Sequence, residues 1–226
     1  MDGNGRWAKA RGKPRISGHR AGAEALERVL GYCRDVGVKY LTVYAFSTEN
    51  WKRSKEEVSG LMKLLSAFVH SKEKMLMKNE VRFRVIGRRS DLSAKLQREI
   101  ASLEEKTARF ERQLIVALSY GGRAEIVDAA VKFAGIMGKA GAPVDGQEAE
   151  RLFASCLYAP DLPDPDLLIR TSGECRISNF LLWELAYTEF HFTDTLWPDF
   201  SREDFDRALD SYAHRERRMG GRLEKI

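Results

Sequence analysis

Near the amino terminus, Asp2, Gly3, Gly5, Arg6, Arg15 and His19 have the types and spacing of an anion cradle. Gly3 and Gly5 let the backbone turn with positive φ and bring bare N–H groups against a ligand, while Arg6, Arg15 and His19 bring the charge that a phosphate answers. Asp2 is the odd member. A lone carboxylate among these bases repels a phosphate unless a divalent cation bridges the two. The other reading of the stretch is a basic, flexible tail.

A second basic cluster, Arg170, Arg176 and Ser178, lies far along the chain. It is expected on a loop after a strand, with Ser178 opening a helix over 178–187, and both forked guanidiniums and helix N-termini favour phosphate. Between the clusters, Val58, Leu61, Met62, Leu65, Phe68 and Val69 form one broad apolar stripe, which Met75 and Met77 extend. Core packing alone accounts for such a stripe. Two anion sites flanking an apolar helix nevertheless point to two phosphorylated substrates, at least one with an apolar tail.

Several motifs are excluded. Gly3, Gly5 and Ala8 match the spacing of a dinucleotide-binding turn, but no strand leads into them, and Gly12 with Pro14 interrupts any helix starting near Trp7. There is no P-loop, and no Asp-Asp-x-x-Asp magnesium motif. Asp161, Asp164 and Asp166 are separated by prolines and read as a surface turn, and His70, His191 and His214 lack metal-ligand spacing. Cys33 and Cys156 fall at apolar helical positions, and Cys175 is given no role.

The elements that must position these residues alternate between helix and strand. Ala25, Leu26, Val29, Leu30, Cys33 and Val36 mark a helix that Gly37 stops. A strand is expected over 38–46, a polar loop over 47–53, and a helix from the capping box at Ser54 to Lys78. Further strands are expected over 81–87, 114–119, 166–170 and 189–192. Helices are expected around Leu92–Leu103, over 123–138, around Leu152–Cys156 and over 201–218, with a turn at 141–146. This is an α/β fold, a single domain over 1–226 with a mostly parallel central sheet flanked by helices. In such sheets ligands bind beyond the carboxyl ends of the strands, where the segments 47–53, 121–123 and 171–178 lie.

The chain has 226 residues, 43% of them hydrophobic, which suffices for a real core. Its 38 basic and 33 acidic residues nearly balance, so only local excesses such as residues 1–20 carry information. No stretch is apolar enough to span a membrane, and the 3 cysteines form no pairing motif, so a cytoplasmic setting without disulfides is expected. A basic nucleic-acid-binding module would explain the arginines. It would not explain Asp2, the glycine spacing or the apolar stripe, so no nucleic-acid partner is expected.

The run Met1 to Ala8 with Pro14-Arg15 and Gly18-His19, then Phe46-Ser47-Thr48-Glu49-Asn50-Trp51, Tyr120-Gly121-Gly122-Arg123 and residues 166–180, resemble in order the blocks of the cis-prenyltransferases. The resemblance implies that fold, here without the apolar strand that in relatives runs into Met-Asp-Gly-Asn. It also implies condensation of isopentenyl diphosphate with an allylic prenyl diphosphate such as farnesyl diphosphate. The product would be a long cis-polyprenyl diphosphate, such as the undecaprenyl carrier of bacterial cell-wall sugars. Gly3, Asn4, Gly5, Arg6, Arg15 and His19, with Trp7 beside them, would hold the allylic diphosphate. Arg170, Arg176, Ile177 and Ser178 would hold isopentenyl diphosphate. Asp2 and Glu189 match magnesium-associated carboxylates, making Mg²⁺ the implied cofactor.

Asn50 is by resemblance the proton acceptor, but a neutral amide is a poor base and positions pyrophosphate or water more readily. Ser47, Thr48, Glu49, Trp51 and Arg53 complete that substrate block; from the residues alone Glu49 reads equally as a solvated acid and Trp51 as a hydrophobic plug. The resemblance further implies that the helix from Ser54 lines a tunnel for the growing chain. It implies a homodimer to which Arg217-Arg218-Met219-Gly220-Gly221 contributes, and product release at the cytoplasmic membrane face. A non-catalytic subunit of a heteromeric enzyme is the alternative, against which Asp2, Arg6 and the run Arg176 to Asn179 argue.

Overall fold

The computed structural model describes residues 1–140 and 145–215. Gly3, at φ 96°, turns the chain into α1 (Asn4–Ala10), a short helix where the sequence pattern places only an open cradle. Gly12 and Pro14 then end it and separate it from α2 (Arg15–Val36), which closes on Gly37 in the left-handed conformation that glycine adopts without strain. β1 (Tyr40–Ser47) follows and runs through a 3₁₀ turn over Thr48–Lys52 into α3 (Lys55–Lys78). The α3 start is fixed by the Ser54 hydroxyl, which accepts from the Glu57 N–H. Then come β2 (Val81–Ile86), α4 (Ala94–Thr107), β3 (Arg112–Tyr120), α5 (Gly122–Ala140), α6 (Gly146–Ala154), β4 (Leu167–Arg170), β5 (Glu189–Phe192) and α7 (Arg202–Ala213).

All the described strands are parallel, but they form two sheets, ordered β1–β3–β2 and β4–β5. β3 is central and buried from Gln113 onward, as expected of a continuous apolar run covered on both faces. On one face, Leu26 and Val29 of α2, Phe68 and Val69 of α3 and Ile100 of α4 pack against Phe83 and Leu114. On the other, Ile115, Ala117 and Tyr120 meet Leu168, Leu181 and Leu185. Each such buried aliphatic or aromatic side chain is worth about 1.5–3 kcal/mol. The remaining edges of β1 and β4 line one shared cavity, so the expected central sheet is divided there.

The register of β1 on β3 slips between Tyr44 and Ser47. Such an irregularity bends a strand and re-aims its last residues, and here it delivers the 47–53 loop to the carboxyl edge of the sheet.

One expected element is absent. Residues 178–187 form turns in place of a helix, with Ser178, Asn179 and Leu181 at φ 49°, 64° and 44°. The cause is tertiary: the Asn179 amide reaches across to Glu49 Oε1 (2.9 Å) and accepts from the Arg123 N–H (2.9 Å), while its carbonyl accepts from Gly122 N–H (2.7 Å). Those bonds need the left-handed backbone that a helix excludes. α7 ends at Ala213, short of the expected Arg218. The Arg217–Gly221 block and most of the turn at 141–146 lie outside the described residues.

Candidate active site

Asp2 is held by its backbone before its side chain is considered. Its N–H donates to Thr171 Oγ1 (3.1 Å), and its carbonyl accepts from that hydroxyl (3.0 Å) and from the Trp197 N–H (3.0 Å). The carboxylate then accepts from Gly3 N–H at 2.7 Å and from Arg170 Nη2 at 3.1 Å. Burial pushes the Asp2 pKa upward, but the Arg170 guanidinium and the Gly3 N–H outweigh it and hold the carboxyl below the ordinary carboxylate range. It is ionised at neutral pH, with its side chain 42% exposed at the cavity wall.

Gly3 stands where a Cβ would overlap Ser172 Oγ, and Gly18 and Gly22 of α2 where one would overlap Asn4. These three glycines let α1 seat against α2 and the Thr171–Ser172 backbone, which carries Asn4, Gly5 and Arg6 onto the cavity wall. Arg6 Nη1 donates to the Ser172 carbonyl at 3.0 Å.

The arginines sort differently from their order in the sequence. Arg6 joins the carboxyl-terminal cluster: it pairs with Glu174 (3.0 Å), which also holds Arg176 (2.5 Å). Arg170 donates to Ser178 Oγ (2.9 Å) and to the Arg176 carbonyl, so Arg170, Asp2, Arg6, Glu174 and Arg176 form a chain of alternating charge. Arg15 instead meets Arg53 across Glu57, at 3.1 and 2.9 Å. His19 belongs to this second group. Burial, and then the Arg53 charge, lower its pKa, and its buried Nε2 has no partner among the described residues. Neutral, it offers a ligand a ring nitrogen.

In the 47–53 loop, Asn50 Oδ1 accepts from Ser47 N–H (3.1 Å), so what its amide can offer a ligand is the Nδ2 donor. Ser47, Glu49, Asn50 and Arg53 line the cavity. Thr48 turns toward Gly121, where an added Cβ would lie 2.7 Å from its Oγ1. Trp51 turns inward: it packs edge-on against Phe46 and donates to Ser119 Oγ at 2.8 Å, as a hydrophobic plug does. Trp7 likewise faces away, donating to Asp199 (2.7 Å) with Arg11 over its ring.

Below this polar mouth the cavity becomes apolar. Its volume is about 1440 Å³, spanning a channel between α2 and α3 and the gap between the β1 and β4 edges. Leu26 and Val29 of α2, Val43 of β1, and Leu61, Leu65 and Phe68 of α3 line the channel. Part of the α3 stripe thus faces the cavity, whereas Val69 is core and Met75 packs against it. A channel of this character, closed at its mouth by a carboxylate and guanidiniums, suits a phosphorylated molecule with a long apolar tail.

Residues 1–220 match the family model described as putative undecaprenyl diphosphate synthase. The chain belongs to the undecaprenyl diphosphate synthase family of cis-prenyltransferases. It is 53% identical to an isoprenyl transferase of Fusobacterium nucleatum, covering 98% of this chain and 93% of that one. It is 44% identical to a farnesyl-diphosphate-specific ditrans,polycis-undecaprenyl-diphosphate synthase of Aliivibrio fischeri, over 100% and 88%. Its fold is similar to that of lavandulyl diphosphate synthase from Lavandula x intermedia in complex with dimethylallyl diphosphate. That match has a TM-score of 0.90 and 37% identity, covering 96% of this chain and 94% of that chain.

In this cis-prenyltransferase the sites expected from sequence are gathered unevenly. Asp2, Gly3, Asn4, Gly5, Arg6, Arg15, His19, Arg170, Ile177 and Ser178 line one cavity, with Arg176 linked to them through Glu174. The site's phosphate donors do not include a helix start at Ser178, since none forms. Glu189 is not among the residues that line this cavity: it pairs with Leu167, three residues before Arg170 on β4, and its carboxylate binds Arg215 at 2.7 Å. Among the described residues no group of three or more metal-ligating side chains forms. Asp2, ionised and partly exposed, fits a magnesium ion that takes one protein carboxylate and fills its remaining positions with phosphate and water.

Glu57, Thr171, Glu174 and Asn179 were not singled out from sequence as site residues. Glu57 was legible only as part of a capping box, Glu174 only as a member of a polar loop, and Asn179 only within the run Arg176 to Asn179 and the helix expected there. Each has a partner more than 40 positions away, as in the Arg15–Glu57 and Glu49–Asn179 bonds with separations of 42 and 130 residues.

Proposed function

We propose that the chain condenses isopentenyl diphosphate with an allylic diphosphate, farnesyl diphosphate first, and repeats the step to an undecaprenyl-length cis-polyprenyl diphosphate. The observation that carries this reading is the apolar channel opening beneath Asp2 and two arginine groups. In each cycle the allylic C–O bond breaks, pyrophosphate leaves, the isopentenyl double bond attacks the allylic carbon, and a proton is lost from the isopentenyl unit. Arg6, Arg15 and His19 hold the allylic diphosphate, and Arg170, Arg176 and Ser178 hold that of isopentenyl diphosphate. Asp2 would hold Mg²⁺, which when bound would supply further positive charge for the departing pyrophosphate. Guanidiniums set around the leaving oxygen stabilise charge as it grows, which accelerates the step without nucleophilic attack by the protein. Asn50, a donor here, orients pyrophosphate or water for the proton transfer, which agrees with its Oδ1 being engaged.

The channel walls exclude water from the reacting carbons. As a cytoplasmic homodimer working at the membrane face, the enzyme would release its apolar product into lipid. Exposed Val127 and Val131, one turn apart on α5, support pairing of two copies, and no described helix is long and apolar enough to cross a membrane. The test is incubation with labelled isopentenyl diphosphate and farnesyl diphosphate, with and without Mg²⁺, followed by chromatography of extracted lipid. Magnesium-dependent chains that vanish in Asp2→Ala are expected; product that persists in EDTA would overturn the metal assignment, and absence of product the reaction.

A further inference from the structure

Each arginine group of the site is bridged by one glutamate to which no role has been given. Glu57 accepts from Arg53 Nη1 through Oε1 (2.9 Å) and from Arg15 Nη1 through both oxygens (3.2 Å to Oε1, 3.1 Å to Oε2). Glu174 divides its two oxygens between Arg6 Nη2 (3.0 Å, Oε1) and Arg176 Nη1 (2.5 Å, Oε2). The two arrangements are alike although the elements differ: α2, the 47–53 loop and α3 in the first, α1 and the 171–178 loop in the second. In both, the carboxylate is the sheltered member. Glu57 and Glu174 side chains are 19% and 25% exposed, against 63%, 37%, 50% and 61% for Arg15, Arg53, Arg6 and Arg176.

A carboxylate spanning two guanidiniums makes the contacts that a phosphate oxygen pair would make, with less charge and fewer acceptors. Resting on the reaction proposed above, we propose that Glu57 and Glu174 are exchangeable counter-anions. They hold the arginine pairs in the unliganded enzyme, yield them to an arriving diphosphate, and take them back as pyrophosphate leaves.

The physical need follows from repetition. Every condensation leaves pyrophosphate on the guanidiniums that held the allylic diphosphate, and these must be vacated before the elongated product can move onto them and free the other group for the next isopentenyl diphosphate. Bare arginine pairs would bind substrate and product alike more tightly, and such uniform binding lowers KM without raising kcat, while slowing release. An internal carboxylate of matching reach weakens every diphosphate by a constant factor and shortens the pyrophosphate residence time. It also keeps four cations from repelling one another in the empty site. Partly exposed pairs of this kind add little to stability, so their geometry calls for a reason other than folding. Glu57 and Glu174 are positioning residues on this account, acting through the arginines.

The test is calorimetric titration of the full chain with inorganic pyrophosphate in EDTA, alongside steady-state kinetics with Mg²⁺, for the wild type, Glu57→Gln, Glu174→Gln and Glu174→Asp. Each glutamine variant is expected to bind pyrophosphate about three- to fivefold tighter, the worth of one partly exposed ion pair. KM should fall together with kcat, for the allylic diphosphate in Glu57→Gln and for both diphosphates in Glu174→Gln, with a first-turnover burst. Glu174→Asp, which keeps the charge, should return toward wild type. Glutamine variants that bind pyrophosphate no tighter than wild type would overturn the exchange, whether or not product forms. A wild type that binds pyrophosphate, with the expected variant order, yet makes no prenyl product would overturn the reaction and not the exchange.

Discussion

Arg170 and Asp2 face each other at 3.1 Å, and the same guanidinium donates through its other nitrogen to Ser178 Oγ at 2.9 Å. One planar fork therefore fixes the carboxylate of the amino-terminal block against the loop that closes the site. Arg170→Lys keeps the charge and loses the fork, because an ammonium is a point donor. Activity is expected to fall about tenfold to a hundredfold, with little change in melting temperature. Measured kcat and both KM values would check this; unchanged kinetics would show that charge alone suffices.

Gly18 is the contact point between α1 and α2, where a Cβ would overlap the Asn4 carbonyl. Gly18→Ala must push α1 away and carry Gly3, Asn4 and Gly5 out of register with Thr171 and Ser172. The expected cost is about 1–3 kcal/mol, at roughly 2–4 °C in Tm for each kcal/mol. KM for the allylic diphosphate should rise as well. Gly12→Ala is the contrast: an added Cβ there meets nothing, and only the φ of 60° is against it.

The glycines also show what could be read from the sequence. That Gly3 turns with positive φ beside bases was legible, because it depends on residues within one short run, whereas Gly5, expected to turn likewise, lies inside α1. That Gly18 and Gly22 clear space for Asn4 was not, since only the packed helices define the overlap. The strands and the long helices α2 and α3 were legible from periodicity, and α7 was legible as a helix opening at Ser201, where the structure adds a capping box with Asp204. The helix expected after Ser178 failed because Asn179 is drawn across to Glu49 and Gly122, a demand that no local pattern encodes. The same reasoning covers the arginines: charge clusters could be counted, but which glutamate each would meet could not.

Trp51 tests the distinction between site and support. Its indole N–H donates to Ser119 Oγ (2.8 Å), which in turn donates to Asp91 (2.6 Å), beneath the 47–53 loop. Trp51→Phe keeps the ring against Phe46 and removes the donor. Stability is expected to fall by about 1 kcal/mol while KM for both substrates stays near wild type. A large rise in KM without loss of stability would place Trp51 among the substrate contacts.

Glu184 supplies the pH dependence. Burial, and then the charge of Glu125 beside it, push its pKa from 4.5 up to about 7, with Asp164 adding in the same sense. Its Oε2 is buried with no hydrogen-bond partner among the described residues, and an ionised Glu125 is an acceptor that cannot supply one. Glu125 is already engaged by the Tyr120 hydroxyl and the Tyr158 N–H (2.8 Å), and the Lys132 charge offsets only part of its burial. The folded chain therefore keeps a proton on this pair that the unfolded chain releases above about 4.5. Stability from it is fully present below that pH and is lost as pH rises through about 7. Glu184→Gln removes the loss. The variant should melt higher than wild type at pH 8, by about 2–4 °C for each kcal/mol recovered, and the difference should close toward pH 5. Calorimetric melting across that range decides it: a variant less stable than wild type at pH 8 would mean that the carboxylate is stabilising in its charged form.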